Sequence, residues 1–322
     1  MVDGARAQVA RRSLLCAAAS AVVLPTSACG IRLEDDAPRV PFVPTRTPVP
    51  GEAELVALTR DTRALADAAA RLPGDLAADL ATIHRRQHSV LRTTLVRRQV
   101  PAADLDAPAP ASSAGPTPST SPSSAPPTPA AGPTALAALA ADEAAAAAAA
   151  GTFAGVDPDL RASVAALHAQ RQAAATLLSG RAPAVPSDPV DGAAVAALAT
   201  LTSAAIFLME VVAARSDGGQ RARADSTLAA LRDLRTDQLA GGAVADGALG
   251  HPLPFAVDSP ADAARLAREV LTTLRAGSGE HLEAVVTAHG ATGLTALARW
   301  VGTVEVEAHR WGVDLVPFPG LA

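Results

Sequence analysis

The chain has 322 residues, 49% of them hydrophobic, 18% charged and only 2% aromatic, and close to a quarter are alanine. Alanine is the best helix former and a poor strand former, so this bias argues against sandwich, barrel and doubly wound α/β architectures and predicts an all-α fold. The formal charge of -5, from 27 basic and 32 acidic residues spread along the chain, leaves no basic footprint for nucleic acid.

Residues 1–28 read as a secretory signal. Arg6, Arg11 and Arg12 precede an uncharged run from Ser13 to Pro25, and the small residues Ser27 and Ala28 stand before Cys29. Arg11-Arg12-Ser13-Leu14-Leu15 resembles a twin-arginine export motif. Ala28-Cys29-Gly30 resembles a bacterial lipobox, which implies that Cys29 is acylated and becomes the new N-terminus. Ordinary cleavage after Ala28, with an unmodified thiol, is the plainer alternative. The uncharged run is too short to span the ~30 Å hydrocarbon layer as a retained helix. With only Cys16 and Cys29 in the chain, a disulfide framework or a cysteine metal site is excluded on count. The expected address is extracytoplasmic, on the cell membrane, through a lipid anchor.

Residues 29–51 read as a stalk punctuated by Pro38, Pro41, Pro44, Pro48 and Pro50. Residues 52–103 predict a helical hairpin. Leu55, Leu58, Thr62, Leu65, Ala69 and Leu72 alternate steps of three and four, Pro73-Gly74 makes the turn, and Asp75 opens a helix with Leu76, Leu80, Ile83, Gln87, Val90 and Leu91 on one face. Residues 104–134 are almost wholly Ala, Pro, Ser, Thr and Gly and predict a disordered linker, because they bury too little apolar surface to offset their chain entropy.

Residues 135–183 predict a second hairpin, with an alanine helix up to Ala150 and a helix opened by Asp157-Pro158. It repeats the first. Asp75-Leu76, Ala78, Leu80-Ala81 and Ile83-His84 align without a gap with Asp159-Leu160, Ala162, Val164-Ala165 and Leu167-His168, so the spacing predicts a duplicated hairpin and a four-helix bundle closed from the two copies.

Residues 190–322 predict four more helices with short connections. Ala193 to Met209 carries no charge and reads as a central helix buried on most sides, interrupted only by Glu210 before Arg215. A polar helix with Leu228, Leu231 and Leu239 follows and ends at Gly241-Gly242. Ser259-Pro260-Ala261-Asp262 is a helix start, for a helix expected to run to about Ala288 with a weak point at Gly277 and Gly279. The last helix carries Leu294, Leu297, Val301, Val304, Ala308 and Trp311, and Gly312 stops it.

Val211-Val212-Ala213-Ala214-Arg215, His251-Pro252-Leu253-Pro254-Phe255 and Pro317-Phe318-Pro319-Gly320 together give this last region a family likeness. It resembles the actinobacterial ferritin-like bundles known as domain of unknown function 4439. The resemblance implies a ferritin-like four-helix bundle. Where members carry Glu-His in the first helix, this chain has Thr202-Ser203, and where they carry a histidine in the second it has Leu231 beside Arg232 and Arg235, so the resemblance implies the fold and not a metal role.

A ferritin-like di-metal site uses Glu-x-x-His on two helices, and the sequence contains none. The nearest substitute is Glu305 with His309 one turn on and Glu307 between them, read as solvated charges beside the Val301/Val304 seam or as metal ligands. His84 and His88 enclose Arg85 and Arg86, which places positive charge where a cation would sit, so they read as interior histidines with Gln87, Gln170 and Gln172 as partners in a polar layer. Glu210, alone on an uncharged helix, is paired with Arg232 or Arg235 or else serves as a ligand-binding acid.

No phosphate loop, nucleophile elbow, dinucleotide fingerprint or Cys-x-x-Cys pair is present. The expectation is an exported, membrane-anchored helical lipoprotein that acts as a binding or structural envelope protein without catalysis or cofactor. Its partners would be the membrane, through the lipid, and an envelope protein or small ligand. The alternative is a ferritin-like metal-binding or oxidoreductase protein with iron or manganese at Glu210, Glu305 and His309.

Overall fold

A computed structural model describes residues 46–108, 132–186, 188–245 and 250–321, and among them every regular element is helical. In chain order these are α1 (Glu52–Ala70), α2 (Asp75–Arg97), α3 (Ala102–Asp106), α4 (Gly132–Ala148), α5 (Pro158–Ser179), α6 (Ala193–Arg215), α7 (Gly218–Leu239), α8 (Pro260–Gly279) and α9 (Leu282–Arg310). A 3₁₀ stretch, Ala149–Gly155, prolongs α4. Arg11, Arg12, Cys29 and most of the expected linker lie outside the described residues.

The starts follow from local chemistry. Asp157 caps α5 by accepting from the Asp159 amide, with Pro158 at the first helical position. Ser259 and Asp262 form a reciprocal capping box at α8, again with proline behind the cap. Gly180, at φ 72°, closes α5 in the left-handed conformation that glycine adopts without strain.

α1 and α2 form one hairpin, and α4 and α5 form another. Among the last four helices α6 packs on α7 and α8, α8 packs on α9, and α9 returns to α7, which closes a ring. The two sets are continuous: α5 lies along α9, and the chain from Arg46 onward forms one compact unit.

α5 and α9 are the central helices. Every residue of α5 from Val164 to Ala175 is buried, and α9 is buried on nearly all sides from Leu294 to Ala308. Small residues allow this approach. A Cβ on Gly302 would stand 2.9 Å from the Ala169 carbonyl oxygen and from Gln172 Cβ, so the Gly302 backbone packs directly on the α5 backbone and on the Gln172 side chain. The expectation that Ala193 to Met209 forms the central helix is thereby corrected. α6 buries Val195, Leu198, Thr202, Ile206 and Met209 on one face and leaves Phe207 and Ala214 exposed on the other. Hydropathy reports what side chains prefer, whereas centrality here is set by how closely the backbones can approach.

Three boundaries also differ from expectation. A linker beginning at residue 104 does not fit Leu105, which sits fully buried on α3, and α3 packs on α1. The end of the stalk packs too: Val49 is buried, and Arg46 forks onto both oxygens of Glu52 at 2.5 and 2.6 Å. The helix from Ser259 stops at Gly279 instead of Ala288, where the Gly320 backbone approaches so closely that a Cβ would lie 1.8 Å from the Gly320 oxygen. The following helix starts early, at Leu282, and kinks at Gly290, whose φ of 54° no bulky residue tolerates.

Candidate functional site

The polar layer expected between the hairpins exists and is fully enclosed. α1 contributes Thr62, α2 His84 and Gln87, α4 Glu143, and α5 His168 and Arg171, and all of these are buried. The three-residue spacing of His84 and Gln87, and of His168 and Arg171, sets each pair on one face of its helix. Ala140, Ala146 and Ala147 around Glu143 give α4 the slimness to seat its carboxylate against α2.

Gln87 Nε2 donates to the Pro317 carbonyl at 2.6 Å, and His84 Nδ1 donates to Gln87 Oε1 at 2.9 Å. His84 Nε2 lies 2.6 Å from Glu143 Oε1. On α5, His168 Nδ1 donates to the Ala146 carbonyl at 3.0 Å, and Arg171 Nη2 donates to Thr62 Oγ1 at 2.6 Å. Among the described residues Glu143 Oε2, His168 Nε2 and Arg171 Nε have no hydrogen-bond partner.

The charges follow from this enclosure. Burial, reinforced by the neighbouring Arg171 cation, lowers the His168 pKa to about 3, so the ring is neutral. Burial also lowers the Arg171 pKa, while Glu143 and the exposed Asp61 draw it back upward. Asp142, next to Glu143 on α4, has its pKa raised by partial burial and by the Glu143 charge.

His84 is thus an interior histidine, as expected, and His88, half-buried, donates from Nδ1 to the Thr59 carbonyl at 3.1 Å. Gln172 Nε2 reaches the Pro183 carbonyl at 3.5 Å, whereas both side-chain polar atoms of Gln170 lack partners among the described residues. His84 and His168 occupy the same register of their helices, ten residues into the aligned repeat, and both turn toward α4.

The residues singled out in the last four helices are not brought together. Glu305 is fully buried, which corrects its reading as a solvated charge: the Val301/Val304 stripe marks only one face of a helix that is wrapped on the others by α5 and α8. Its Oε2 accepts from Arg275 Nη1 at 3.0 Å and its Oε1 from the Val316 amide at 2.8 Å. Burial raises its pKa, and Arg275 pulls in the opposite direction. His309, half-buried one turn on, adds a weaker downward pull on Glu305.

Glu307 is buried as well, accepting from Thr227 Oγ1 at 2.7 Å and from Arg310 Nη1 at 2.6 Å, while Trp311 Nε1 donates to Thr227 at 3.0 Å. Glu210 pairs with Arg232 at 2.8 Å, one of its two expected partners, but both side chains are more than half exposed, so the pair bridges α6 and α7 at the surface. Glu210 also lines an open cleft of about 530 Å³ with Ser203, Phe207, Arg235 and His251. Among the described residues no group of three His, Cys, Asp or Glu side chains is placed to hold a metal ion.

Sequence reasoning missed Glu143 and Arg171. The available signal was their isolation: Asp142-Glu143 is the one charged pair in the alanine run, and Arg171 is the charge framed by Gln170 and Gln172. No family model, curated protein or solved structure matches the chain.

Proposed function

We propose that the chain is an exported helical lipoprotein, tethered through acylated Cys29, that serves as a binding or structural protein of the cell envelope and performs no chemistry. The observation that carries this reading is that each acid offered for ligand or metal binding already has its own structural partner. Glu305 is held by Arg275 and the Val316 amide, and Glu210 by Arg232. The Arg11-Arg12 pair and Ala28-Cys29-Gly30 supply the export and anchoring half of the proposal.

The ring of α6, α7, α9 and α8 supports the ferritin-like likeness as part of the same proposal. Iron or manganese does not fit the residues that the alternative assigns to it. Both oxygens of Glu305 are engaged, a guanidinium stands where a metal would need to approach, and Glu210 is at the surface on another pair of helices. The cleft beside Glu210 and Arg235 is the place this reading assigns to a partner or small ligand.

Labelling with a radioactive fatty acid and membrane fractionation test the proposal. The native chain is expected to carry label and sediment with membranes, and the C29A chain to lose both. A C29A chain that still sediments with membranes would overturn the tether.

A further inference from the structure

We propose that Glu143 and His84 form an enclosed pair of no net charge, in which one Glu143 oxygen shares a single proton with His84 Nε2.

The direction of the hydrogen bonds requires that proton. A backbone carbonyl only accepts, so Gln87 must present its NH₂ to Pro317, and its Oε1 is left to face His84. His84 Nδ1 therefore carries a hydrogen. At 2.6 Å from a carboxylate oxygen, His84 Nε2 needs a proton between the two atoms, because two lone pairs would otherwise repel. That proton makes the pair imidazolium with carboxylate or imidazole with carboxylic acid. In both forms the pair has no net charge, which is the form that burial favours.

Three polar atoms of neighbouring side chains are left over. Ala146 accepts from His168 Nδ1, so His168 Nε2 is a bare acceptor. Glu143 Oε2 is a second bare acceptor, and Arg171 Nε–H is a donor without an acceptor. Arg171 on α5 is the buried cation coupled to Glu143, and Asp61 on α1 and Asp142 on α4 are exposed.

The chain of bonds also has a mechanical consequence. Pro317, Gln87, His84 and Glu143 link the C-terminal segment to α2 and α4 through one relay, so the polar centre joins the hairpins to the end of the chain.

The test compares E143Q with E143L in the full chain and reads the His84 tautomer. The carboxamide of E143Q can donate to a neutral His84 and mimic the uncharged pair, so E143Q is expected to melt within a few degrees of the native chain, whereas E143L melts far lower. Histidine ¹⁵N spectra of E143Q are expected to show His84 as the Nδ1–H tautomer. E143Q melting as low as E143L, or the opposite His84 tautomer, would each overturn the proposal.

Discussion

Two buried carboxylates, Glu305 among the last four helices and Glu143 among the first, are equally hidden from water and are satisfied in opposite ways. Glu305 has a guanidinium on one oxygen and a backbone amide on the other, so nothing is left over. Glu143 has an imidazole on one oxygen and no partner on the second, and the nearby Arg171 directs a hydrogen bond to Thr62. A buried charge is tolerated when the surrounding groups match it in number as well as in sign, and only the Glu305 site achieves that with protein atoms alone.

The strongest way to break this comparison is acid. His168 is kept neutral by burial, with its pKa lowered to about 3 from an ordinary 6.5. Between those values the unfolded chain binds a proton that the folded one refuses, so stability is fully present above about pH 6.5 and falls as the pH is lowered toward 3. The loss is on the order of 4–5 kcal/mol. Urea unfolding across this range is expected to show the fall in the native chain and a flatter profile in H168Q.

Removing the cation from the satisfied site comes next. R275L leaves Glu305 buried and unpaired and is expected to cost ~3–5 kcal/mol, most of it recovered when E305L is added. The Glu305 pKa is already raised by burial, so the folded state holds its proton longer than the unfolded state does. This group's contribution to stability is therefore full below the usual carboxylate value of 4.5 and declines as the pH rises through the folded value. The signs at Glu305 and His168 are opposite, and the pH profiles of R275L and H168Q separate them.

The seam between the two regions is the third target. G302A places a Cβ against the Ala169 carbonyl and the Gln172 side chain, and is expected to cost ~1–3 kcal/mol in thermal unfolding. The smallest effect belongs to the exposed pair: E210A is expected to change stability by less than ~1 kcal/mol, since Arg232 and Glu210 are both more than half exposed. A larger loss would show that the surface pair helps to hold α6 to α7.

Much of the helical frame was legible because its signals are local. Ser259-Pro260 and Asp157-Pro158 announced their helices, and the repeat around His84 and His168 located the polar layer. The identity of the central helices was not legible, because α5 carries His168, Gln170, Arg171 and Gln172 and reads as more polar than α6. Its alanines let neighbours close in on every side, and a sequence read one helix at a time does not show what arrives from elsewhere. The same limit applied to Glu305, placed outside on the evidence of a single stripe, and to Glu143, where nothing within the alanine run distinguishes its inward side chain from the outward Asp142.

The central proposal is that the ionisable interior serves the fold and is not a reactive centre. Native mass spectrometry of the protein purified from its native cells addresses it most directly. The account predicts a chain beginning at Cys29 with acyl groups and no bound metal. One or two iron or manganese ions per chain, retained through buffer exchange at neutral pH, would contradict it.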